Sequence, residues 1–331
     1  MRRPGIGNRG SGADLTPPTP LSDAERGALI RAAESPPLRV GEGGWGGEVS
    51  PLTHWDALSD ATHRFEDDDA SESPQLDAEL LLRQVLGIER VQLFMRYDRP
   101  LAPDAVGQFE ALVDRRLAGE PMAYILGSRW FRNIELFVDE RVLIPRPETE
   151  RFVEYALAWL RSHPGPRRVV DVGTGSGAIA LALADELGKR RPDVQIIATD
   201  ISSAALDVAA INRDRLNMTD RVELVESDLL TGFAEPFDII LANLPYLRPD
   251  QRHPSTRREP EVALFGGPDG FDLHRRLLRQ SATLLTPDGL WVGEIDPAQA
   301  EIAIAFASEA TGRAARAEVD YAGDARYLLI R

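Results

Sequence analysis

Of the 331 residues, the run Asn243-Leu244-Pro245-Tyr246 carries the most specific chemistry. An amide nitrogen is a poor nucleophile, because its lone pair is delocalised into the carbonyl. Two acceptors near its NH2 would hold it and stabilise the positive charge that grows as a methyl group arrives. The Asn243 side-chain oxygen and the Leu244 carbonyl suit that task. Pro245 drives Leu244 into an extended backbone and so aims the carbonyl. Tyr246 offers a flat face to a planar group. This is electrostatic preorganisation with in-line positioning, and it demands no strong general base. The same residues also fit a polar turn after a buried strand, so their neighbours must decide.

The first neighbour is Asp171-Val172-Gly173-Thr174-Gly175-Ser176-Gly177-Ala178, placed after a strand and opening a helix. Glycines serve where backbone turns sharply and approaches a ligand closely. Gly173, Gly175 and Ala178 also match a dinucleotide fingerprint, so this turn alone admits NAD as well as S-adenosylmethionine. Asp200, ending the strand Ile196–Thr199, is placed to accept both ribose hydroxyls of an adenosine, or to cap the helix starting near Ser202 or Ser203. Asp228 can accept from an adenine amino group, and Leu229 can face the ring. The expected cofactor site is therefore Gly173, Thr174, Gly175, Ser176, Gly177, Asp200, Asp228, Leu229 and Asn243. Nothing in hydride transfer calls for Asn243–Tyr246. The combination points to S-adenosylmethionine-dependent methylation of a planar amide or amine nitrogen, with Asn243, Leu244, Pro245 and Tyr246 as catalytic and substrate-binding residues.

Residues 1–50 are rich in Gly, Pro and Ser and read as a disordered extension, with a brief helical possibility at Asp23–Ala33. Residues 51–128 read as a small helical domain. Leu76, Leu80, Leu81, Val85 and Leu86 share one helix face ended by Gly87, and Ala105–Ala118 repeats the pattern. Residues 129–147 carry short extended segments closed by Pro145 and Pro147, a hairpin-like linker. From 148 to 331 helices and strands alternate. The expected strands are Arg168–Val172, Gln195–Thr199, Val222–Val225, Phe237–Ala242, Leu290–Ile295 and Tyr327–Ile330. The expected helices are Glu150–Arg161, Ile179–Leu187, Ser203–Asn212, Leu273–Leu285 and Gln299–Ala310. Such alternation implies an α/β domain with a parallel sheet covered on both faces, binding ligands beyond the strands' carboxyl ends.

A formal net charge of −15 argues against a protein living on nucleic acid, where phosphate neutralisation needs a basic footprint. With no cysteine, thiolate metal sites and disulfides are excluded. The five histidines are scattered, so no metal site is expected and solvated or capping roles are the default. No apolar run reaches the ~20 residues of a membrane span and no secretory signal opens the chain, so cytoplasmic residence is expected.

From about Leu76 to Arg331 the chain resembles the HemK/PrmC family, the N5-glutamine methyltransferases of peptide chain release factors. The matching stretches are Leu76–Leu82, Arg116–Gly127, Val142–Glu150 (Val-Leu-Ile-Pro-Arg-Pro-Glu-Thr-Glu), Asp171–Gly177 and Glu259–Gly267 (Glu-Pro-Glu-Val-Ala-Leu-Phe-Gly-Gly). Pro145–Glu150 is the most diagnostic, since related ribosomal-protein glutamine methyltransferases differ there. The resemblance implies a Rossmann-like class I S-adenosylmethionine methyltransferase domain behind a small N-terminal helical, substrate-recognition domain. It also implies that Gly173–Gly177, Asp200, Leu229 and Asn243 line the cofactor pocket. Asn243–Tyr246 would hold the glutamine of the release factor's Gly-Gly-Gln loop, a step in translation termination. One departure is Leu244, where the family usually has proline. Leucine there is familiar in rRNA dimethyladenosine transferases, so N6-adenine methylation of rRNA or DNA is the alternative. A catalytically idle protein gripping a translation factor would show damage at the glycine turn or Asn243, and neither is damaged.

Overall fold

The computed structural model describes residues 51–68, 71–253 and 256–331; the expected extension and its helix at Asp23–Ala33 lie outside the described residues. The front of the described chain is helical because its apolar side chains recur every three or four positions. Helix α1 (His54–Asp67) opens with a capping box, in which Thr53 and Asp56 bond each other's backbone, and buries Ala57, Leu58, Ala61 and Phe65. Helix α2 (Pro74–Leu86) stops at Gly87, whose φ of 60° few other residues adopt. After the short α3 (Arg90–Phe94), α4 (Pro103–Leu117) adds Phe109 and Val113 to the same core. Arg116 on α4 donates to Asp77 on α2 at 2.8 Å, tying together two of the stretches that carried the resemblance. The five-residue α5 (Met122–Leu126) ends this bundle.

A small hairpin follows, β1 (Arg129–Phe131) with β2 (Ile134–Leu136), antiparallel. The chain then runs irregularly to a 3-10 turn at Pro147–Thr149 and into α6 (Glu150–Ser162). The remaining elements are β3 (Arg167–Val172), α7 (Ala178–Leu187), β4 (Val194–Asp200), α8 (Ser203–Arg215), β5 (Val222–Glu226), β6 (Phe237–Ala242), α9 (Asp272–Leu284), β7 (Leu285–Glu294), α10 (Ala300–Thr311), β8 (Ala315–Val319) and β9 (Ala325–Ile330). The strands form one sheet in the order β5-β4-β3-β6-β7-β9-β8.

The sheet is mixed, which corrects the expectation of a parallel one. Strands β3 to β7 pair in parallel, but β9 lies antiparallel to both β7 and β8. The reason is β8, which the sequence reading passed over. No helix separates β8 from β9; they are joined by a turn closed by Asp320 N to Asp324 O at 2.9 Å, and a tight turn can join only antiparallel strands. Strand β7 also starts earlier than expected, with a register shift opposite Phe237/Ile239. Gly289 belongs there because a Cβ would meet Leu285 at 2.7 Å and the Thr286 carbonyl at 2.9 Å.

Apolar side chains pack on both sheet faces, one cluster under α6 and α7 and another under α9 and α10. Strand order reverses between β3 and β6, and the crevice beyond their carboxyl ends is where this topology binds ligands.

Candidate active site

Register alone brings the two main motifs together. Val172 of β3 pairs with Ala242 of β6, so Gly173 and Asn243 leave the sheet side by side. Gly173 has φ 74°, and a Cβ there would lie 3.1 Å from Leu244 Cδ2. The leucine that replaces the family's usual proline therefore packs on the glycine turn, and its side chain is only 3% exposed. Gly175 has φ 55° and open space where a Cβ would stand.

Two clefts meet at this point. The first encloses about 1120 Å³, counting space open to solvent, and is lined by Gly173, Thr174, Gly175, Ser176, Asp200, Asp228, Leu229, Asn243, Leu244 and Pro245. Ile201, Val262, Ala263 and Leu273 add apolar wall. The second, about 530 Å³, shares Asn243, Leu244 and Pro245 and adds Tyr246, Leu264, Thr256 and Glu294. Carboxylates and apolar walls together with a glycine turn and Asn243 fit an adenosine-bearing cofactor in the first cleft.

Gly177 does not line it. Its φ of 85° starts α7, and a Cβ would strike Leu181 at 2.8 Å, so this glycine serves helix packing below the cleft. Asp200 is not a helix cap either: Ser202 caps α8, accepting from Ala205 N at 3.2 Å. Instead the Asp200 carboxylate accepts from Gly175 N and Ser202 N, both at 2.9 Å, locking the glycine turn to the end of β4. Burial pushes its pKa up, and those two amides pull it back. Asp228 pairs with Arg276 at 2.6 Å, so one of its oxygens is engaged before any ligand arrives. Leu229 is held at φ 56°, a strained conformation for a side chain of this size.

Around Asn243–Tyr246 the hydrogen bonds run in one direction. Asn243 Nδ2 donates to Thr149 Oγ1 at 3.0 Å, and Thr149 Oγ1 donates to Glu294 Oε2 at 3.1 Å. Tyr246 donates its hydroxyl to Glu294 Oε1 at 3.0 Å. Burial raises both the Tyr246 hydroxyl and the Glu294 carboxyl above their ordinary values, so the phenol keeps its proton. Among the described residues no donor reaches Asn243 Oδ1 or the Leu244 carbonyl. The Tyr246 carbonyl, by contrast, is engaged: Gln299 Nε2 donates to it at 3.1 Å, and a Cβ on Gly270 would sit 2.1 Å from it.

The segment from Leu143 to Thr149 roofs both clefts, and Glu259, 4% exposed, anchors it. One Glu259 oxygen accepts from Ile144 N at 3.1 Å and the other pairs with Arg146. The two most informative stretches of the sequence thus meet in space. Asn212 fastens the linker, donating to the carbonyls of Phe137 and Ser176 at 2.9 Å. Sequence reasoning missed Thr149 and Glu294 as site residues. Glu294 carried the signal that flagged Asp200, a carboxylate at the carboxyl end of an apolar strand. His274 also departs from expectation: it is buried, stacked on Phe271, and donates Nε2–H to the Glu294 carbonyl at 2.8 Å.

A reversal of strand order with a glycine turn on one side and an Asn-x-Pro-Tyr acceptor pair on the other defines a class I S-adenosylmethionine-dependent methyltransferase. Residues 56–127 match the model of the PrmC N-terminal domain, and residues 156–259 match that of the methyltransferase small domain. A release factor glutamine methyltransferase of Rhodopirellula baltica is 39% identical over 277 residues, covering 80% of this chain and 92% of that one. One of Moorella thermoacetica is 41% identical over 265 residues, covering 78% and 91%. The chain belongs to the release factor glutamine methyltransferase family. Among solved structures, a ribosomal protein L11 methylase of Lactobacillus delbrueckii subsp. bulgaricus matches with TM-score 0.40 and 25% identity, over 59% of this chain and 83% of that one.

Proposed function

We infer that the protein transfers a methyl group from S-adenosylmethionine to the side-chain amide nitrogen (N5) of the glutamine in the Gly-Gly-Gln loop of peptide chain release factors. The observation that supports methyl transfer to a planar nitrogen is the pair of undonated acceptors, Asn243 Oδ1 and the Leu244 carbonyl, where the two clefts share residues. The release factor glutamine methyltransferases that the chain resembles favour glutamine as its bearer. A primary amide has two N–H bonds, and each acceptor takes one. The bound cofactor supplies an electrophilic sulfonium methyl. Asn243 and Leu244 hold the nitrogen with its π face toward the first cleft and stabilise the charge developing on it. The N–C bond forms as the S–C bond breaks, and the nitrogen then releases one proton to solvent. Tyr246, tethered through its hydroxyl, presents a ring edge-fixed in the second cleft for the planar amide. Gly173, Thr174, Gly175, Ser176, Asp200, Asp228 and Leu229 hold the cofactor, Asp200 through its remaining lone pairs on the ribose.

The substrate places the work in the cytoplasm; among the described residues no helix is long and apolar enough to cross a membrane. The helical front, residues 51–128, is assigned to grip the release factor, and the acidic charge weighs against stable nucleic-acid binding. Leu244 supports the adenine alternative only as a sequence likeness, since the carbonyl it supplies serves either substrate. Transfer of labelled methyl from S-adenosylmethionine separates the two: label enters a purified release factor and stays out of rRNA and DNA. Label in nucleic acid, with none in the release factor, would overturn the reading. Asn243→Ala should lower kcat at least a hundredfold while cofactor affinity stays within about threefold.

A further inference from the structure

We propose that Thr149 and Glu294 form a positioning relay that sets which way round the Asn243 amide stands. The proposal rests on the assignment of Asn243 as the amide-holding residue. In its ionised form Glu294 can only accept hydrogen bonds. It lies 2% exposed, with Thr149 Oγ1 on one oxygen and Tyr246 Oη on the other, two donors that favour that form against the burial that opposes it. The Thr149 hydroxyl has one proton, and at 3.1 Å that proton points at Glu294. Its oxygen can then only accept from Asn243, 3.0 Å away, so Asn243 must turn its NH2 toward Thr149. Oδ1 is left facing the junction of the clefts. Were the amide reversed, two NH2 groups would face each other and the substrate nitrogen would lose an acceptor. A buried carboxylate two hydrogen bonds from Asn243 thus dictates the polarity of the group that meets the substrate.

The relay is held from three sides. Thr149 sits in the 3-10 turn of the most diagnostic stretch, 4% exposed, and Tyr327 Oη donates to the preceding carbonyl of Glu148 at 2.8 Å. Glu294 ends β7 beside Tyr327 in register, and His274 fixes its main-chain carbonyl. Neither Thr149 nor Glu294 needs to touch the substrate, so both act through Asn243 and Tyr246.

Thr149→Val keeps the shape and removes the hydroxyl; Thr149→Ser keeps the hydroxyl; Thr149→Ala removes it without adding a buried methyl. The relay predicts that kcat falls at least tenfold in Thr149→Val and Thr149→Ala, with cofactor affinity within twofold of wild type, and that Thr149→Ser stays within about threefold. A second readout needs no turnover. The Asn243 side-chain amide protons, identified by NMR through their loss in Asn243→Ala, should exchange slowly in wild type and Thr149→Ser and rapidly in Thr149→Val. Unchanged kcat in both hydroxyl-free variants, or an unchanged Asn243 exchange rate in Thr149→Val, overturns the relay. Wild-type protein inactive on release factors, with the exchange pattern intact, would overturn the assigned substrate and leave the relay standing.

Discussion

Leu244 shows how one residue divides its labour between backbone and side chain. Its carbonyl has the proposed role of holding the substrate nitrogen, and its side chain fills the space that Gly173 leaves by having no Cβ. Leu244→Ala should therefore cost about 2–4 kcal/mol of stability, the usual range for a buried leucine, while kcat stays within about fivefold. A collapse of kcat with little loss of Tm would contradict that division. Gly173→Ala should do the reverse, weakening cofactor binding about tenfold or more by straining a residue at φ 74° against Leu244. Asp171, beneath the same turn, supplies a pH test. Burial pushes its carboxyl up to about 7, against the pull of the Thr174 hydroxyl and the Ala180 amide. Because the folded value is raised, its contribution to stability is full below about pH 4 and fades as pH rises through about 7. The Tm of wild type should thus fall more between about pH 4 and 7 than that of Asp171→Asn; parallel curves would refute this. The placement of Asn243–Tyr246 at a strand's carboxyl end, beside the glycine turn, was legible from the sequence. Thr149 and Glu294 were not, because their roles depend on who donates to whom across 94 and 145 residues of chain.

At the scale of elements, strands with unbroken apolar runs declared themselves, and β6 (Phe237–Ala242) was read to the residue. Strand β8 escaped because it lies at the sheet edge, where Arg316 and Glu318 break the apolar pattern and pair with each other. Without β8, the final strand reads as one more parallel crossover. The roof segment was harder still, since nothing in sequence spacing says that Glu259 reaches under Ile144 and Arg146. Removing that carboxylate leaves a buried amide unpaired and a cation without its partner. Glu259→Ala should cost about 2–3 kcal/mol, discounted for the partly exposed Arg146. The Ile144 amide should lose its hydrogen-exchange protection while amides of β3 keep theirs. Retained protection at Ile144 would show that the roof is held by other means.

Taken whole, the molecule joins a helical front with its own apolar core to a sheet that ends in two communicating clefts. Pro51–Arg331 behaves as one compact unit, so the linker orders the two regions rather than merely spacing them. Tyr124 of the front donates to Val142 O at 2.6 Å, and Asn212 of α8 clamps Phe137, so the linker is tied to the elements on either side of it. The acidic composition leaned toward a protein or small-molecule substrate and away from nucleic acid; the choice of glutamine over adenine came from motif likeness and from the relatives, because the proposed acceptor pair alone would serve either nitrogen. The most direct measurement is tandem mass spectrometry of the Gly-Gly-Gln peptide, after a bacterial release factor is incubated with the protein and S-adenosylmethionine. One added methyl group is expected, located on that glutamine's side-chain nitrogen and absent with Asn243→Ala. An unmodified glutamine, with cofactor binding verified in the same sample, would contradict it.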